Sequence, residues 1–332
     1  MSKIVRAKKI FLVTGAAGFI GSNLIYDLEK IVGVEIVAIV KDTSKSWRLK
    51  NVSSKTKIIE CDLTKFKQVR KLINKYRPQY IIHLATEGIY TYQWSDPARV
   101  LTNNYSMCVN LLEASKEYSN HIKGLVMIGT VHEYGSVLGS MKENMESNAD
   151  LANQYAVSKR ATTILGNSYK ETIPIVTLRL VTVYGPYNDY SKFLEGTINK
   201  IIEGNPVKIN NNVIKDFVYV KDVTKAIIIA ALNAGKLRGE TINIGSGYGY
   251  ELEDILKYIQ NKISESSSYS YLTRFDKCSG IVKPMNWACI DKAKKWLNWQ
   301  PQYSFEEGIA LTIDWYIKYK HVIPKVIIDT NF

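Results

Sequence analysis

The stretch Gly15-Ala16-Ala17-Gly18-Phe19-Ile20-Gly21 joins an apolar run, Lys9 to Thr14, to an amphipathic segment from Ile20 to Ile31. The apolar run predicts a β-strand, and the amphipathic segment predicts a helix. Glycines at this spacing permit a tight turn, let a phosphate approach the backbone and let the helix pack closely on the strand. The free N–H groups at the start of the helix favour an anion. The stretch therefore predicts a strand–turn–helix unit that binds a dinucleotide.

The first half of the chain repeats this alternation of short β-branched runs and amphipathic segments. Apolar runs that are buried on both faces are typical of parallel strands covered by helices, and right-handed crossovers wind them into one sheet. We predict an α/β fold: a Rossmann-type doubly wound parallel sheet with a smaller mixed α/β C-terminal substrate domain. Residues 1–184 with 222–245 are expected to form the dinucleotide domain, and residues 185–221 with 246–332 the second domain.

Composition narrows the function classes. The four cysteines are scattered and the four histidines form no HExxH pattern, so we expect a reducing, cytoplasmic setting and no metal site. No secretory signal is expected in the first residues, and no run approaches the ~18 apolar residues that span a bilayer. The net charge of +13 fits a lysine-rich solvated surface, an anionic substrate or nucleic acid. Because no nucleic-acid motif accompanies it, we expect neither nucleic acid nor membrane as a partner.

The residue after the second strand separates the two nicotinamide cofactors. A carboxylate there binds the ribose 2′-hydroxyl of NAD, whereas a basic residue accommodates the 2′-phosphate of NADP. Here the strand ends at Val40 and is followed by Lys41, with Arg48 further along the chain. The sequence therefore favours NADP(H), with NAD as the alternative. Asp62, after the third strand, is a candidate contact for the adenine.

A tyrosine and a lysine four residues apart share one face of a predicted helix, at Tyr155 and Lys159. A free tyrosine has a pKa near ~10, so a neighbouring cation that favours the phenolate makes it a better acid–base group. Thr130, at the end of a predicted strand, carries a hydroxyl that could bind the same substrate oxygen. These three residues are the predicted catalytic set.

Together with the glycine stretch, this set resembles the extended short-chain dehydrogenase/reductases, the nucleotide-sugar epimerase/dehydratase family. Further segments are similar to family motifs, and the resemblance covers nearly the whole chain. These segments are His83-Leu84-Ala85, Leu178-Arg179-Leu180 through Tyr184-Gly185-Pro186, Lys215-Asp216-Phe217-Val218-Tyr219-Val220 with Asp222, Asn243-Ile244-Gly245, and Leu297-Asn298-Trp299-Gln300-Pro301.

The resemblance implies that the second domain holds a nucleoside diphosphate sugar while hydride moves between nicotinamide and a sugar carbon. Tyr155 would move the proton, Lys159 would tune Tyr155 and hold the ribose, and Thr130 would orient the sugar oxygen. Predicted cofactor contacts are Gly15, Ala17, Gly18, Phe19, Ile20, Gly21, Lys41, Arg48, Asp62, Leu63, Leu84, Ala85, Thr86, Asn104, Ile128, Tyr155 and Lys159. Predicted substrate contacts are Thr86, Glu87, Thr130, Val131, His132, Tyr155, Thr182, Phe193, Lys208 and Lys215, with Lys283 as a further candidate for the diphosphate.

Departures from the family pattern indicate which reaction to expect. Dehydratases carry an Asp-Glu pair after the catalytic threonine, where this chain has Val131 and His132, so dehydration is disfavoured. His132 either replaces one carboxylate or simply lines the pocket. Two features favour a reduction instead. One is Lys41, and the other is the segment from Gly129 to Gly135, which is similar to the GTxxEYG form of CDP-paratose and CDP-abequose synthases. They predict an NADPH-dependent 4-ketoreductase of a CDP- or dTDP-linked 4-keto-6-deoxyhexose. An NAD-dependent nucleotide-sugar C4-epimerase is the alternative.

Two further expectations concern assembly and role. The family commonly dimerises through a four-helix bundle, which would here use the predicted helices from Ala98 to Tyr118 and from Tyr155 to Tyr169, so we expect a homodimer. A cofactor-sensing regulator on the same fold is a non-catalytic alternative, but it would not require the complete set of Thr130, Tyr155 and Lys159.

Overall fold

A computed structural model describes residues 8–87, 96–146, 154–210, 213–266, 275–278 and 285–319 of the chain. Within these ranges the helices are α1 (Phe19–Glu29), α2 (Phe66–Tyr76), α3 (Pro97–Lys116), α4 (Gln154–Ser168), α5 (Phe193–Ile202), α6 (Val220–Asn233), α7 (Leu252–Ser266), α8 (Asp291–Leu297) and α9 (Phe305–Tyr319). Short 3₁₀ turns cover Thr43–Lys45, Trp47–Leu49 and Val131–Tyr134.

The strands of the same ranges are mostly short outside one large sheet. They are β1 (Lys9–Thr14), β2 (Val34–Val40), β3 (Thr56–Glu60), β4 (Tyr80–His83), β5 (Gly124–Thr130), β6 (Gly139–Met141), β7 (Ile175–Leu180), β8 (Thr182–Tyr184), β9 (Val207–Asn210), β10 (Ile214–Lys215), β11 (Phe217–Tyr219), β12 (Glu240–Ile244), β13 (Tyr250–Glu251), β14 (Phe275–Cys278) and β15 (Met285–Ala288).

The large sheet has seven described strands in the order β3-β2-β1-β4-β5-β7-β12. Every pairing in it is parallel. The order reverses between β1 and β4, and open parallel sheets bind their ligands at the carboxyl ends of the strands beside such a reversal. The predicted doubly wound sheet is therefore confirmed, and its ligand edge lies at Thr14, Val40, His83 and Thr130.

Helices cover both faces of the large sheet. On one face, Leu24 and Ile25 of α1 pack with Val223 and Ile227 of α6, and α8 adds to the same apolar cluster. On the other face, α2 and α3 bury a second cluster that includes Leu72 and Cys108, and α4 packs against α3. Burial on both faces is the reason that these strands read as continuous apolar runs in the sequence.

The smaller part of the molecule has its own apolar cluster, formed by α5, α7 and α9 with Tyr184 and Phe217. Its strands form a four-stranded sheet in the order β13-β10-β15-β6 and two separate pairs, β11-β8 and β14-β9. β6 lies inside residues 1–184 but pairs with β15, and α8 lies inside residues 246–332 but packs on the large sheet. Each predicted domain thus contains one element that packs with the other domain: β6 in the first and α8 in the second.

Candidate active site

The glycine stretch forms the turn between β1 and α1. Gly15 has a φ of +66°, and a Cβ at this position would lie 2.7 Å from the backbone nitrogen of Ala85. A Cβ on Gly21 would overlap the carbonyl oxygen of Gly15. The turn is also fastened to β2, because Ala16 N–H donates to the carbonyl of Ile39 at 3.1 Å. Two of the three glycines are therefore required by the packing of the loop itself.

The first turn of α1 fits the diphosphate of a dinucleotide. Gly18 is the N-cap residue and, having no side chain, supplies no cap to the N–H groups of the first turn. Those N–H groups, beginning with Phe19 and Ile20, lie at the positive end of the helix dipole. Gly18 is itself exposed, so an anion can approach this backbone directly.

A cavity of about 590 Å³ adjoins the glycine turn and is lined by Ala17, Val40, Lys41, Asp42, Lys45 and Glu60. Its position beside the end of β2 is where an adenosine ribose would lie. The carboxylates are bonded locally: Asp42 accepts from Ser44 N–H at 2.9 Å, and Glu60 accepts from Thr43 N–H at 3.2 Å. Lys41 is exposed at the mouth of this cavity.

Two predicted cofactor residues make local contacts of their own. Asp62 lies at the end of β3 with Leu63, and its Oδ1 accepts from the N–H of Thr64 at 3.0 Å. Arg48, another predicted cofactor contact, donates from Nε to the carbonyl of Tyr187 at 2.7 Å and from Nη1 to that of Ala17 at 3.4 Å. It lies in the 3₁₀ turn Trp47–Leu49, and its contact with the cofactor stays a prediction.

The predicted catalytic residues come from two neighbouring elements. Thr130 ends β5, and Tyr155 and Lys159 occupy the first turns of α4, which packs against β5 and the turn after it. Lys159 is buried and donates to the carbonyl of Ile128 at 3.0 Å. Burial lowers the pKa of Lys159 to about 8, opposed by the negative charge of Glu133. Tyr155 lies one helical turn before Lys159, on the same face of α4.

The side chain of His132 adjoins Tyr155, with the two ring centres 6.4 Å apart in an edge-on arrangement. It is open to solvent on one side and enclosed by protein on the others, as expected for the wall of a cleft. Desolvation, with a smaller effect from Lys215, lowers the pKa of His132 to about 4. His132 is therefore a neutral, polar wall of the site at physiological pH.

A buried ion pair lies directly beneath Thr130 and was not identified as functional from the sequence. Glu133 accepts from the Thr130 N–H at 2.9 Å and from Arg179 Nε at 3.0 Å. Arg179 also lies over the ring of Tyr134, 4.6 Å from its centre. A Cβ on Gly129 would collide with the Glu133 carboxylate. The glycine, glutamate and tyrosine of the segment after Ile128 therefore support the catalytic threonine.

The hydroxyl of Thr130 accepts from the N–H of His132 at 3.3 Å. This bond uses a lone pair of the hydroxyl oxygen, so the hydroxyl can still donate its proton to a substrate oxygen. Val131 packs against the main apolar cluster and is only half-exposed. The local geometry thus fixes where Thr130 points.

The loop after β4 contains Leu84, Ala85, Thr86 and Glu87, and it is held by Asn104 of α3. The Asn104 oxygen accepts from Glu87 N–H at 2.8 Å, and its nitrogen donates to the Glu87 carbonyl and to Ser158 Oγ, both at 3.1 Å. Both amide hydrogens are thereby used, so Asn104 positions the loop against α4. The Glu87 side chain pairs with Arg99 and Asn103.

The remaining predicted substrate residues are spread along the second domain. Thr182 is exposed at the start of β8, Phe193 is 37% exposed at the start of α5, and Lys215 lies in β10 near His132. Lys208 lies in β9, where side chains are not described, and Lys283 lies outside the described residues. Substrate contacts from all five of these residues stay predictions.

Two aspartates in the motif from Lys215 to Asp222 are structural. Asp216 accepts from the N–H groups of Ser246 at 2.8 Å and Ala288 at 3.1 Å. Asp222 accepts from the N–H groups of Gln302 at 2.9 Å and Tyr303 at 3.2 Å. Asp216 thus joins the segment between β10 and β11 to β15 and to the residue after Gly245, and Asp222 joins α6 to the segment before α9.

The described residues include neither a metal-binding cluster of side chains nor a membrane-spanning helix. The chain's described His, Cys, Asp and Glu side chains form no group of three or more that could hold a metal ion. Its helices, over the same ranges, include none that is long and apolar enough to cross a bilayer.

A tyrosine, a buried cation and a threonine hydroxyl beside a dinucleotide turn can move a proton at a carbon–oxygen bond while hydride moves at the carbon. This geometry defines a nicotinamide-dependent oxidoreductase. The sequence profile of the NAD dependent epimerase/dehydratase family matches residues 11–245, and the chain belongs to that family. It is an NAD(P)-dependent enzyme that acts on nucleotide sugars.

Individual relatives match over nearly the whole chain. The UDP-glucuronate 4-epimerase of Thermodesulfobacterium geofontis is 30% identical over 317 residues, covering 92% of this chain and 95% of its own. An uncharacterized UDP-glucose epimerase, YtcB of Bacillus subtilis, is 31% identical over 318 residues, covering 90% of this chain and 95% of its own. The UDP-glucuronic acid 4-epimerase of Bacillus cereus, solved with UDP-glucuronic acid and NAD, matches with a TM-score of 0.82 and 27% identity, covering 93% and 99%.

Removing one partner of the buried ion pair should destabilise the protein strongly. Glu133→Ala leaves the Arg179 charge buried without its carboxylate, which typically costs about 3–5 kcal/mol. The free energy of unfolding from urea denaturation measures this loss. Glu117→Ala is the matched control, because the Arg70–Glu117 pair is solvent-exposed and should contribute less than ~1 kcal/mol. Equal losses in the two variants would show that the buried pair has no special role.

Activity should fall as the pH rises through about 8. Lys159 is protonated below its pKa of about 8, so the cation beside Tyr155 is present at neutral pH and is lost on the alkaline side. The measurement is the pH profile of kcat/KM, with folding followed by circular dichroism at each pH. A profile that stays flat to pH ~10, near the pKa of a free lysine, would contradict the assigned role of Lys159.

Proposed function

We propose that the protein is an NAD-dependent C4-epimerase of a nucleoside diphosphate sugar. The observation that carries this proposal is the match to the UDP-glucuronate 4-epimerase of T. geofontis, 30% identical over nearly the full length of both chains. The site has the groups that the reaction needs, namely Thr130, Tyr155 and Lys159. UDP-linked hexoses and hexuronates are the first substrates to test, because the relatives are named for them.

The chain's own residues supply the proton chemistry. The sugar O4 would lie between the Thr130 hydroxyl, which donates to it, and Tyr155, which removes its proton. Lys159, by its positive charge, favours the phenolate form of Tyr155 that accepts this proton. A nicotinamide held by the glycine turn and Lys159 would supply the hydride acceptor for C4, so that the hydride can be returned to the opposite face of the sugar. Tyr155 then gives the proton back, so no net oxidation or loss of water occurs.

Dehydration is disfavoured by the residues beside the catalytic threonine. Elimination of water requires an acid and a base next to the sugar, and the positions after Thr130 hold Val131 and the neutral His132. Glu133, the one carboxylate in this turn, is buried and bonded to Arg179. It therefore cannot reach a sugar in the cleft.

The sequence alone favoured a 4-ketoreductase over an epimerase, and the similarities favour the epimerase. The segment from Gly129 to Gly135 was one of the two features that favoured the reductase. Its glutamate and tyrosine are buried supports for Thr130, so they are suited to either reaction and do not discriminate between them. The similarity to CDP-paratose and CDP-abequose synthases therefore carries little weight.

One observation keeps the NADPH-dependent 4-ketoreductase as a second candidate. Lys41 and Lys45 line the cavity beside the end of β2, and the carboxylates there are bonded locally to Ser44 and Thr43. A basic wall of this kind accommodates a 2′-phosphate. The cofactor preference of the chain therefore needs its own experiment.

Turnover of UDP-glucuronate and UDP-glucose should require no added NADPH and give an isomer of equal mass, detected by chromatography and mass spectrometry. Tyr155→Phe should reduce turnover by about 10²–10⁴-fold, the usual contribution of an acid–base group, while dinucleotide affinity stays unchanged. Tyr105→Phe, an exposed tyrosine of α3, is the control. A product that has gained two hydrogens at the expense of NADPH would overturn the epimerase in favour of the reductase.

Lys41→Glu should weaken binding of NADPH by about tenfold or more, since a charge-assisted bond of ~1.5–3 kcal/mol is lost and replaced by repulsion. Binding of NADH should change much less. Fluorescence titration with each cofactor measures both constants, and Lys50→Glu, an exposed charge change on the same loop, is the control. Equal effects on NADPH and NADH would exclude Lys41 as the 2′-phosphate contact.

A further inference from the structure

The segment 185–189, called the strap below, follows β8 and lies against the dinucleotide domain. Three consecutive carbonyls of the strap accept hydrogen bonds from three different elements. Asn23 of α1 donates to Pro186 at 2.9 Å, Arg48 donates to Tyr187 at 2.7 Å, and Tyr316 of α9 donates to Asn188 at 2.8 Å. The strap is therefore held at three consecutive residues, Pro186 to Asn188.

Two of these donors also bind the glycine stretch: Asn23 donates to the Phe19 carbonyl at 3.1 Å within its own helix, and Arg48 reaches the turn from a different element. Its Nε bonds the strap at Tyr187, and its Nη1 lies 3.4 Å from the carbonyl oxygen of Ala17. The guanidinium lies over the Trp47 ring, 4.5 Å from its centre. The Arg48 carbonyl accepts from the hydroxyl of Tyr26 at 2.8 Å, which fixes the backbone from which the side chain extends. One side chain thus joins the turn that faces the cofactor to a segment of the second domain.

The backbone of Tyr187 is strained in the held position. Its φ of +71° lies in the left-handed region, which is unfavourable for a residue with a side chain and persists only where the surroundings impose it. The ring packs against Trp315 and Tyr26, with centres 4.8 Å and 5.9 Å away. The bond from Arg48 to the Tyr187 carbonyl is one of the contacts that impose this conformation.

The strap also leads to the substrate side. Its Gly185 N–H and Asn188 amide both donate to Glu195 of α5, at 3.2 Å and 2.9 Å. α5 begins at Phe193, a predicted nucleotide contact. The same short segment therefore contacts the cofactor turn through Arg48 and the predicted substrate helix through Glu195.

We infer that Arg48 is a positioning residue that closes the strap against the glycine turn and slows release of the dinucleotide. Ala17, whose carbonyl it binds, lines the cavity beside β2, so opening the strap frees one wall of that cavity. A retained dinucleotide is what an enzyme needs if hydride leaves the sugar and returns within one turnover. The inference rests on dinucleotide binding and not on which sugar reaction the enzyme performs.

The test measures dissociation of the dinucleotide from the purified protein without sugar. Protein loaded with NADH is mixed with excess NAD in a stopped-flow instrument, and loss of energy transfer from tryptophan to NADH gives the dissociation rate. Arg48→Ala should raise that rate by tenfold or more and leave the association rate nearly unchanged. Arg48→Lys, which keeps a cation but cannot bond both carbonyls in a fork, should give an intermediate rate.

Arg70→Ala is the matched control, because Arg70 is an exposed arginine of α2 paired with Glu117. Its dissociation rate should equal that of the unmodified protein. Thermal unfolding of each variant separates a local effect from general destabilisation, and Arg48→Lys covers the case in which the alanine variant does not fold. Dissociation rates in the Arg48 variants equal to that of Arg70→Ala would overturn the inference, whatever the sugar reaction proves to be.

Discussion

The buried ion pair between Glu133 and Arg179 is the interaction on which the catalytic edge of the sheet depends. Its carboxylate accepts the N–H of Thr130 and the guanidinium of Arg179 on β7, and both side chains are almost completely buried. Tyr134, under the same guanidinium, donates to Asn243 on β12. Three neighbouring strands are thus joined below one hydroxyl. Breaking such a pair would leave an uncompensated charge in the interior. The pair therefore stays intact in the folded protein, and its bond to the Thr130 N–H keeps Thr130 in place.

Much of this arrangement can be predicted from the sequence, because its elements follow strong local rules. β1 covers Lys9–Thr14, the bounds of its apolar run, and the glycine turn follows from backbone geometry. The short strands β6, β8 and β13 could not be predicted in the same way. A strand of two or three residues has no periodicity to detect, and its pairing depends on which distant segment reaches it. β6, for example, pairs with β15, where Gly139 lies opposite Asn286.

For some predicted site residues the position follows from the fold, and for others only the structure gives the bonding partner. Thr130, Tyr155 and Lys159 lie on elements whose mutual packing is fixed by the sheet, so their proximity follows from the fold. For Asn104 and Arg48, residue type gives the chemistry but not the partner. An amide or a guanidinium can bond a cofactor or a backbone carbonyl equally well, and only the three-dimensional path of the chain selects the carbonyls of Glu87, Tyr187 and Ala17. The motif carboxylates Asp216 and Asp222 likewise bind backbone N–H groups.

These assignments separate two kinds of motif residue, those that hold the frame and those that face the ligands. Glu133, Arg179, Asp216 and Asp222 hold the frame and can serve any reaction at the same edge. Lys41, Val131 and His132 face the cavity or the cleft, where a substitution does not disturb buried polar groups. The choice between isomerising a sugar and reducing it therefore rests on a few exposed positions around a common catalytic set. That is why frame motifs identify the family, whereas the reaction has to be argued from the residues that the ligands touch.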